Sequence, residues 1–357
     1  MKRIIFVVPS LKAGGAERVM SFLAENLNPK KFKVILIVVG HQKDQVYQTH
    51  ESRIDIKFLE RNRISKAFRP LFKEIRKQKP DIVISSIGHL NTLMSVMAFF
   101  IKKPAFIARE ANIDRVRKTF NPTKGKLGLR LNLKRIGYRF LKIIICQSQD
   151  MYDSFTEEYP QFKTKTVIIN NPITDKFKLK SNKDMSDIIQ FITVGSLHSR
   201  KGHSRILKTL AKFELPFTYT IVGNGERKDE LFELANSLGI SEKITHVPFT
   251  KEVDTYLCAS DFYLQGSYVE GFPNAVIESC AVGTPVLAFD APGGINEIIE
   301  NGVNGHISTS EEDFLKNLHY YAKNNQFKSH IVRDSVIRKY GKEIILNKFE
   351  ALFTKII

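Results

Sequence analysis

Two glutamates separated by seven residues, Glu270 and Glu278, lie in the stretch FYLQGSYVEGFPNAVIESCAVGTPVLAF, residues 262–289. An apolar run, Phe262 to Gln265, breaks at Gly266. A loop then carries Glu270 and Gly271, Pro273 opens a helical segment that stops at Gly283, and Thr284-Pro285 leads into Val286 to Phe289. Proline in the first turn and glycine just past the last are the punctuation of strand, loop, helix, strand. Two carboxylates thus approach one pocket from different backbone contexts. The plainer reading makes Glu270 a loop residue favoured by the positive end of the helix dipole and Glu278 part of a solvated face.

Three further loops bear on which reading holds. In Gly195-Ser196-Leu197-His198-Ser199-Arg200-Lys201-Gly202, two adjacent cations stand at an expected helix start after a strand. Arg200 and Lys201 suit a diphosphate there and would neutralise charge building on a leaving group. As mere surface residues they would be slightly disfavoured by the helix macrodipole. Gly223-Asn224-Gly225 is a turn that lets backbone approach a ligand, and Pro292-Gly293-Gly294 leads a glycine-rich turn into a helix at Ile295.

The elements that must position these loops follow from the chain in order. Strands are expected at 3–8, 34–39, 54–59, 82–87, 105–108, 143–146 and 167–169, separated by helical segments such as the amphipathic 65–79 ended by Pro80. Ser10 to Arg18 is a glycine-rich turn into a helix. Residues 171–187 are polar, contain Pro172, and read as a linker. A second alternation follows, with strands at 188–194, 218–222, 244–248, 262–265 and 286–289 and helices starting near Lys201, Arg227, Val253, Pro273 and Ile295. Strands alternating with helices mean parallel α/β sheets, so the fold class is α/β with two Rossmann-like doubly wound domains. The expected domains are 1–175, joined by the C-terminal helix 341–357, and 176–340. Their ligand cleft is expected between them, at the carboxyl ends of the strands.

Composition narrows the partners. The 357 residues suffice for two ordinary domains, and 43% of them are hydrophobic. Cys146, Cys258 and Cys280 are widely separated, lie in or beside apolar runs and have no metal spacing, as in a reduced cytosolic protein. Lys2-Arg3 followed by Ile4 to Val8 and then Pro9 reads as a strand rather than a cleavable signal. The net charge of +18 is concentrated: residues 1–180 hold 36 Lys/Arg against 15 Asp/Glu, and the remainder holds 19 against 22. A basic first half could face nucleic acid or an anionic membrane, but no nucleic-acid motif is visible. The uncharged run 82–101 is interrupted by seven small or polar residues, including Ser85, His89 and Asn91, and reads as strand, loop and core helix rather than a transmembrane span. Residues 124–142, KGKLGLRLNLKRIGYRFLK, hold seven cations and no acid among apolar residues. That pattern fits either an anionic membrane surface or a solvated helix packed on its own domain, and three glycines weaken the helix in both cases.

With these residues in view, the chain resembles, over nearly its whole length, the retaining GT-B glycosyltransferases of glycosyltransferase family 4. The most specific element is Glu270-Gly271-Phe272-Pro273-Asn274 through Glu278-Ser279, which matches the family's paired glutamates. Gly195 to Gly202 is similar to the donor-phosphate loop, Gly223-Asn224-Gly225 to the Gly-x-Gly turn, and Asp290 to Gly305 to the trailing glycine pattern. Gly14-Gly15-Ala16-Glu17-Arg18 is similar to a motif of bacterial transferases that build lipid-linked oligosaccharides, capsules and O-antigens.

The resemblance implies a GT-B fold and a donor site: Glu278 on the ribose hydroxyls of a nucleotide sugar, Glu270 on the transferred sugar, and Arg200 and Lys201 on the diphosphate. Amides of Phe272, Pro273-Asn274 and Ala275 at the helix start would help hold that diphosphate, and Gly15 would let the first domain's loop approach it. The chain has no Asp-x-Asp, so neither metal nor cofactor is expected, and cations with the helix dipole do that work. Ser196 stands where the donor loop often has arginine, which shifts weight onto Arg200. Arg109-Glu110-Ala111-Asn112 stands where many relatives have a histidine. Glu110 is therefore the candidate on the acceptor side, and His89 at a strand end is a second residue that could reach the cleft. The implied activity is transfer of a hexose or N-acetylhexosamine, UDP-linked by preference, to a lipid-linked or polysaccharide acceptor, at the cytoplasmic face of the inner membrane. A sugar-nucleotide epimerase, a sugar phosphorylase and a nucleic-acid-binding protein on the same scaffold are the alternatives.

Overall fold

The computed structural model describes residues 1–12, 14–46, 53–113, 134–181 and 187–356. The chain forms two compact units, Met1–Pro172 with Glu343–Ile357, and Ile173–Lys342.

The first unit is built on seven strands: β1 Lys2–Val8, β2 Phe32–Val38, β3 Asp55–Phe58, β4 Ile82–Ser86, β5 Ala105–Arg109, β6 Ile143–Cys146 and β7 Thr166–Ile168. They pair in parallel in the order β3-β2-β1-β4-β5-β6-β7. Ile4 to Val8 and Ile35 to Val38 are buried without a break. Such runs need helices on both faces, which is why a parallel sheet carries them. One of those helices is the chain's last, Lys342–Ile356, whose Ile345, Leu346, Phe349 and Phe353 enter the core around Phe6 and Phe32. Its Glu350 accepts hydrogen bonds from the Asn28 amide at 2.8 Å and the Lys31 ammonium at 3.0 Å.

The second unit has six parallel strands: β8 Ile189–Val194, β9 Phe217–Val222, β10 Ile244–Val247, β11 Phe262–Gln265, β12 Val286–Phe289 and β13 Gly305–Ser308, in the order β10-β9-β8-β11-β12-β13. In both sheets the order of connection reverses beside the first strand, between β1 and β4 and between β8 and β11. Ligands of doubly wound sheets bind outside the carboxyl ends of the strands at such reversals.

Four departures from the sequence expectations have physical causes. Strand β13 was not expected: Gly-His-Ile-Ser is short and half polar, and only its pairing with β12 makes it a strand. The helix expected at Lys201 begins at His203, because Ser199–Lys201 forms a tighter 3₁₀ turn first. The polar stretch read as a linker is partly structural. Ile173 and Phe177 are buried, and Lys180 donates to the Ser260 carbonyl at 2.9 Å and to Thr284 Oγ1 at 3.0 Å, while 182–186 lie outside the described residues. In the basic segment, 124–133 also lie outside them, and Lys134 is buried rather than exposed. Residues 82–101 form β4 and the helix Gly88–Phe100, and no helix among the described residues is long and apolar enough to cross a membrane.

Phe353 is fully buried and packs edge-on against Phe6 and Phe32, with ring centroids 6.4 and 6.2 Å apart. Phe353→Ala should therefore cost the first unit about 3–5 kcal/mol, the range for truncating a core aromatic. Urea denaturation would measure it, and a loss below about 1 kcal/mol would show that the last helix is not part of that core.

Candidate active site at the strand-order reversal of the second unit

The loops leaving β8 and β11 touch backbone to backbone. Gly202 has φ +62°, and a Cβ there would lie 1.7 Å from the Gly266 carbonyl oxygen. No other residue fits that crossing, since the left-handed backbone and the missing side chain are both required. The crossing sets Lys201 beside the loop that carries Glu270.

Glu270 is 6% exposed. Its Oε1 accepts from Lys201 Nζ at 2.6 Å, Ser267 Oγ at 2.6 Å and Gln265 Nε2 at 3.1 Å. Burial pushes its carboxyl up, but the charges of Lys201 and Arg200 and the hydrogen bonds from Lys201 and Ser267 outweigh it. The net result lies below the ordinary 4.5. Glu270 is an ionised hydrogen-bond acceptor at neutral pH. A third loop fixes its backbone: the Glu270 amide donates to the Pro292 carbonyl at 2.9 Å, and Gly293, with φ +114°, packs so tightly that a Cβ would lie 2.0 Å from the Glu270 carbonyl oxygen. The glycine-rich turn at 292–294 therefore has a definite job, which is to clamp the loop of the acid.

Glu278 is buried inside the helix Asn274–Val282, and Pro273 caps that helix in extended conformation with its carbonyl accepting from the Val276 amide at 3.1 Å. The charges of Glu270 and Glu278 both act on the Tyr263 phenol, which burial holds well above its ordinary value. Both carboxylates are thus within electrostatic reach of one phenol, the side chain of Tyr263 in β11. Phe272 is turned inward, its ring 5.1 Å from that of Tyr340, so it anchors the loop while Asn274 and Ala275 remain partly accessible at the helix start.

The opposite wall is the loop after β8. Gly195 continues the ladder by donating to the Val222 carbonyl at 2.9 Å, and Ser196 is exposed. The turn Gly223-Asn224-Gly225 packs on it, with the Leu197 amide donating to the Asn224 carbonyl at 3.0 Å. The Arg200 carbonyl accepts from the Tyr268 amide at 2.8 Å, which ties the two walls together.

Two residues that sequence reading missed support this arrangement. His203 is buried, and its Nε2 lies 3.2 Å from the Ser196 carbonyl, where it donates. Burial, opposed by that hydrogen bond and helped by the Lys201 charge, lowers its pKa to about 4. Arg205 donates from Nε to the Gly266 carbonyl at 2.7 Å and also to the Ser267 carbonyl, with its guanidinium 4.2 Å from the Tyr268 ring centroid and 4.0 Å from that of Phe289. Neither residue falls in a motif. Their positions one helical turn past a phosphate-type loop are the signal that was available.

Gly15 is exposed at the start of the helix Gly15–Asn26, where burial raises the Glu17 carboxyl against the pull of its own backbone amide. His89 is exposed near the start of the helix after β4. Glu110 follows β5 and is 3% exposed, accepting from the Tyr138 hydroxyl at 2.5 Å and from Lys134 Nζ at 3.4 Å. It borders a small recess shared with Asn112, Met151, Ser154 and Glu158.

Residues 13–177 match the family described as Glycosyltransferase Family 4, and residues 174–337 match Glycosyl transferases group 1. An uncharacterized glycosyltransferase of Haemophilus influenzae is 28% identical over 99% of this chain and 100% of its own length. The N-acetylgalactosamine-N,N'-diacetylbacillosaminyl-diphospho-undecaprenol 4-alpha-N-acetylgalactosaminyltransferase of Campylobacter jejuni is 26% identical over 84% of this chain and 83% of its own. Among solved structures, Anabaena HepE in complex with UDP superposes with a TM-score of 0.81 at 18% identity, covering 99% of this chain and 100% of that one.

The neutral, buried His203 gives a prediction with a definite sign. Its folded pKa, about 4, lies below the unfolded 6.5. The unfolded chain therefore binds the proton first, and stability present above pH 6.5 is lost as the pH falls toward 4. The size is on the order of 3 kcal/mol. Melting at pH 7 and pH 4.5 should show a smaller drop for His203→Gln than for the parent; parallel losses would place the imidazole in contact with solvent.

Proposed function

This chain belongs to the glycosyltransferases of family 4 with the GT-B fold, and we propose that it moves a hexose or N-acetylhexosamine from a nucleotide sugar, UDP-linked by preference, to a lipid-linked or polysaccharide acceptor in cell-surface glycan biosynthesis. The observation that carries this reading is the cluster of Glu270, Lys201 and Arg200 at the reversal between β8 and β11. A carboxylate held ionised among cations accepts hydrogen bonds from sugar hydroxyls and donates none. The cations beside it suit a diphosphate, whose charge grows as the glycosidic bond to the leaving group breaks.

In this reading Glu270 orients the transferred sugar, Glu278 accepts from the ribose hydroxyls, and Arg200 and Lys201 hold the diphosphate with the amides of Phe272, Asn274 and Ala275. Gly195, Ser196, Gly223, Gly225, Gly271 and Pro273 shape the walls, and Gly15 belongs to the first unit's loop. The bond from the anomeric carbon to the diphosphate oxygen breaks, and the bond to the acceptor oxygen forms on the same face. The acceptor's proton passes to the departing diphosphate. No enzymic nucleophile is needed, and configuration is retained. The UDP in the HepE structure and the diphospho-undecaprenol in the name of the Campylobacter relative support the donor and acceptor classes. In this reading the enzyme works at the cytoplasmic face of the membrane. Glu110 would serve the acceptor side through the remaining acceptor capacity of its two oxygens, each of which takes one donor, Tyr138 or Lys134, among the described residues. Glu110→Gln should then lose transfer and keep nucleotide binding.

Glu270→Ala and Glu278→Ala should each reduce transfer on the order of 10²-fold or more while melting as cooperatively as the parent. Turnover should persist in EDTA, and the anomeric coupling of the product by NMR should match that of the donor. An inverted product, a loss of turnover in EDTA, or near-parental rates in both variants would each remove the corresponding part of the reading.

A further inference from the structure

The first unit carries a run of aromatic rings that is half-buried at one end and exposed at the other. Phe72 stacks on Phe68 with centroids 6.1 Å apart, Phe68 meets Phe100 at 6.5 Å, Phe100 meets Phe99 at 5.0 Å, and Phe99 meets Phe140 at 5.0 Å. Three separate segments supply these rings: the helix Phe68–Gln78, the end of the helix Gly88–Phe100, and the 3₁₀ turn Tyr138–Phe140. Phe99, Phe100 and Phe140 are 47%, 58% and 38% exposed, and nearby in sequence Ile136 is 55% exposed. Single exposed apolar residues are ordinary, but a contiguous set of them marks an interaction surface.

Cations rim the run. Lys102 Nζ lies 4.9 Å from the Phe99 ring centroid and 5.4 Å from that of Phe140, and the Arg76 guanidinium lies 5.7 Å from that of Phe72. Lys103, Arg135, Arg139 and Lys142 are exposed on the same segments. Across 61–79, 99–109 and 134–142 the sole acidic residue is Glu74, which is buried and paired with Lys57. Aromatic rings among lysines and arginines match the headgroup layer of an anionic bilayer, where rings enter the acyl boundary and ammonium groups stay with phosphate. The core of a protein interface is instead depleted in lysine.

We propose that this face, Phe68 to Arg76 with Phe99 to Lys103 and Arg135 to Lys142, docks the enzyme on an anionic lipid surface. It rests on the reading above only in taking the acceptor to be membrane-borne, and its elements lie in a different unit from the donor cluster.

The test is sedimentation of the full chain with vesicles of phosphatidylcholine alone and of phosphatidylcholine mixed with phosphatidylglycerol. The parent should bind the mixed vesicles at least about tenfold more tightly than the neutral ones, and added salt should weaken that binding. Phe99→Ser with Phe100→Ser, and separately Lys102→Gln with Lys103→Gln, should each weaken binding about tenfold or more. Thermal stabilisation by UDP-sugars should be the same in both variants as in the parent, which also reports that they fold. Equal binding of parent and variants to mixed vesicles overturns the proposal, as does a parent that ignores lipid charge. A parent that sediments with neither vesicle overturns it too and leaves an acidic protein surface as the partner to pursue. Failure of the transferase reading would appear separately, as a parent that no nucleotide sugar stabilises.

Discussion

The second unit depends on one backbone crossing. Where the loops after β8 and β11 meet, Gly202 and Gly266 approach too closely for any side chain, and this contact fixes the spacing between Lys201 and Glu270. Everything around it serves to hold that spacing. Arg205 grips the Gly266 and Ser267 carbonyls from below, Pro292 and Gly293 clamp the Glu270 backbone, and His203 holds the Ser196 carbonyl. A methyl group at Gly202 would separate the walls and with them the charges. The site is set by main-chain geometry first and by side-chain chemistry second.

The two sheets share a strand order, and each buries charge near the ends of its strands. In the second unit a buried anion is surrounded by donors and cations, so it stays ionised. In the first, Arg109 at the end of β5 is fully buried, its partners among the described residues are the neutral Ser86 Oγ at 3.3 Å and the Asn171 side chain, and burial lowers its pKa to about 9. Its Nε has no hydrogen-bond partner among the described residues. Close by, Ile87 follows β4 with φ +77°, a conformation that costs a β-branched residue of order 1–3 kcal/mol. The reversal point of the first sheet is thus the more strained of the two, and Asn171 links it to the last residues before the second unit.

Legibility in the sequence followed the strength of the local signal. Strands 262–265 and 286–289 were readable because apolar runs bounded by Gly266, Gly283 and Pro285 leave no other element to form. The paired glutamates and the Arg200-Lys201 step were readable because their types and spacing are unusual. Strand β13 was not, since its four residues become a strand only by pairing with β12. Arg205 looked like one more surface cation, and only the fold sets its guanidinium beside the rings of Tyr268 and Phe289. Lys134 belonged to a basic stretch, yet it is turned inward toward Glu110 and the Tyr138, Phe155 and Tyr159 rings. Charge pattern predicts which face is basic and not which single cation turns inward.

The Lys201 and Glu270 pair deserves its place for a reason other than stability. Removing two opposite charges from water costs about as much as their attraction returns, so apolar residues of the same volume would serve the core at least as well. What the pair provides is an ionised acceptor and a cation held a fixed distance apart before any ligand arrives. Ser267 and Gln265 donate to the same Oε1 as Lys201, so Glu270 stays hydrogen-bonded even if Lys201 turns toward a bound diphosphate. Its charge then remains supported by two donors. A site built in this way meets its ligand with little reorganisation, which is where electrostatic catalysis gains most.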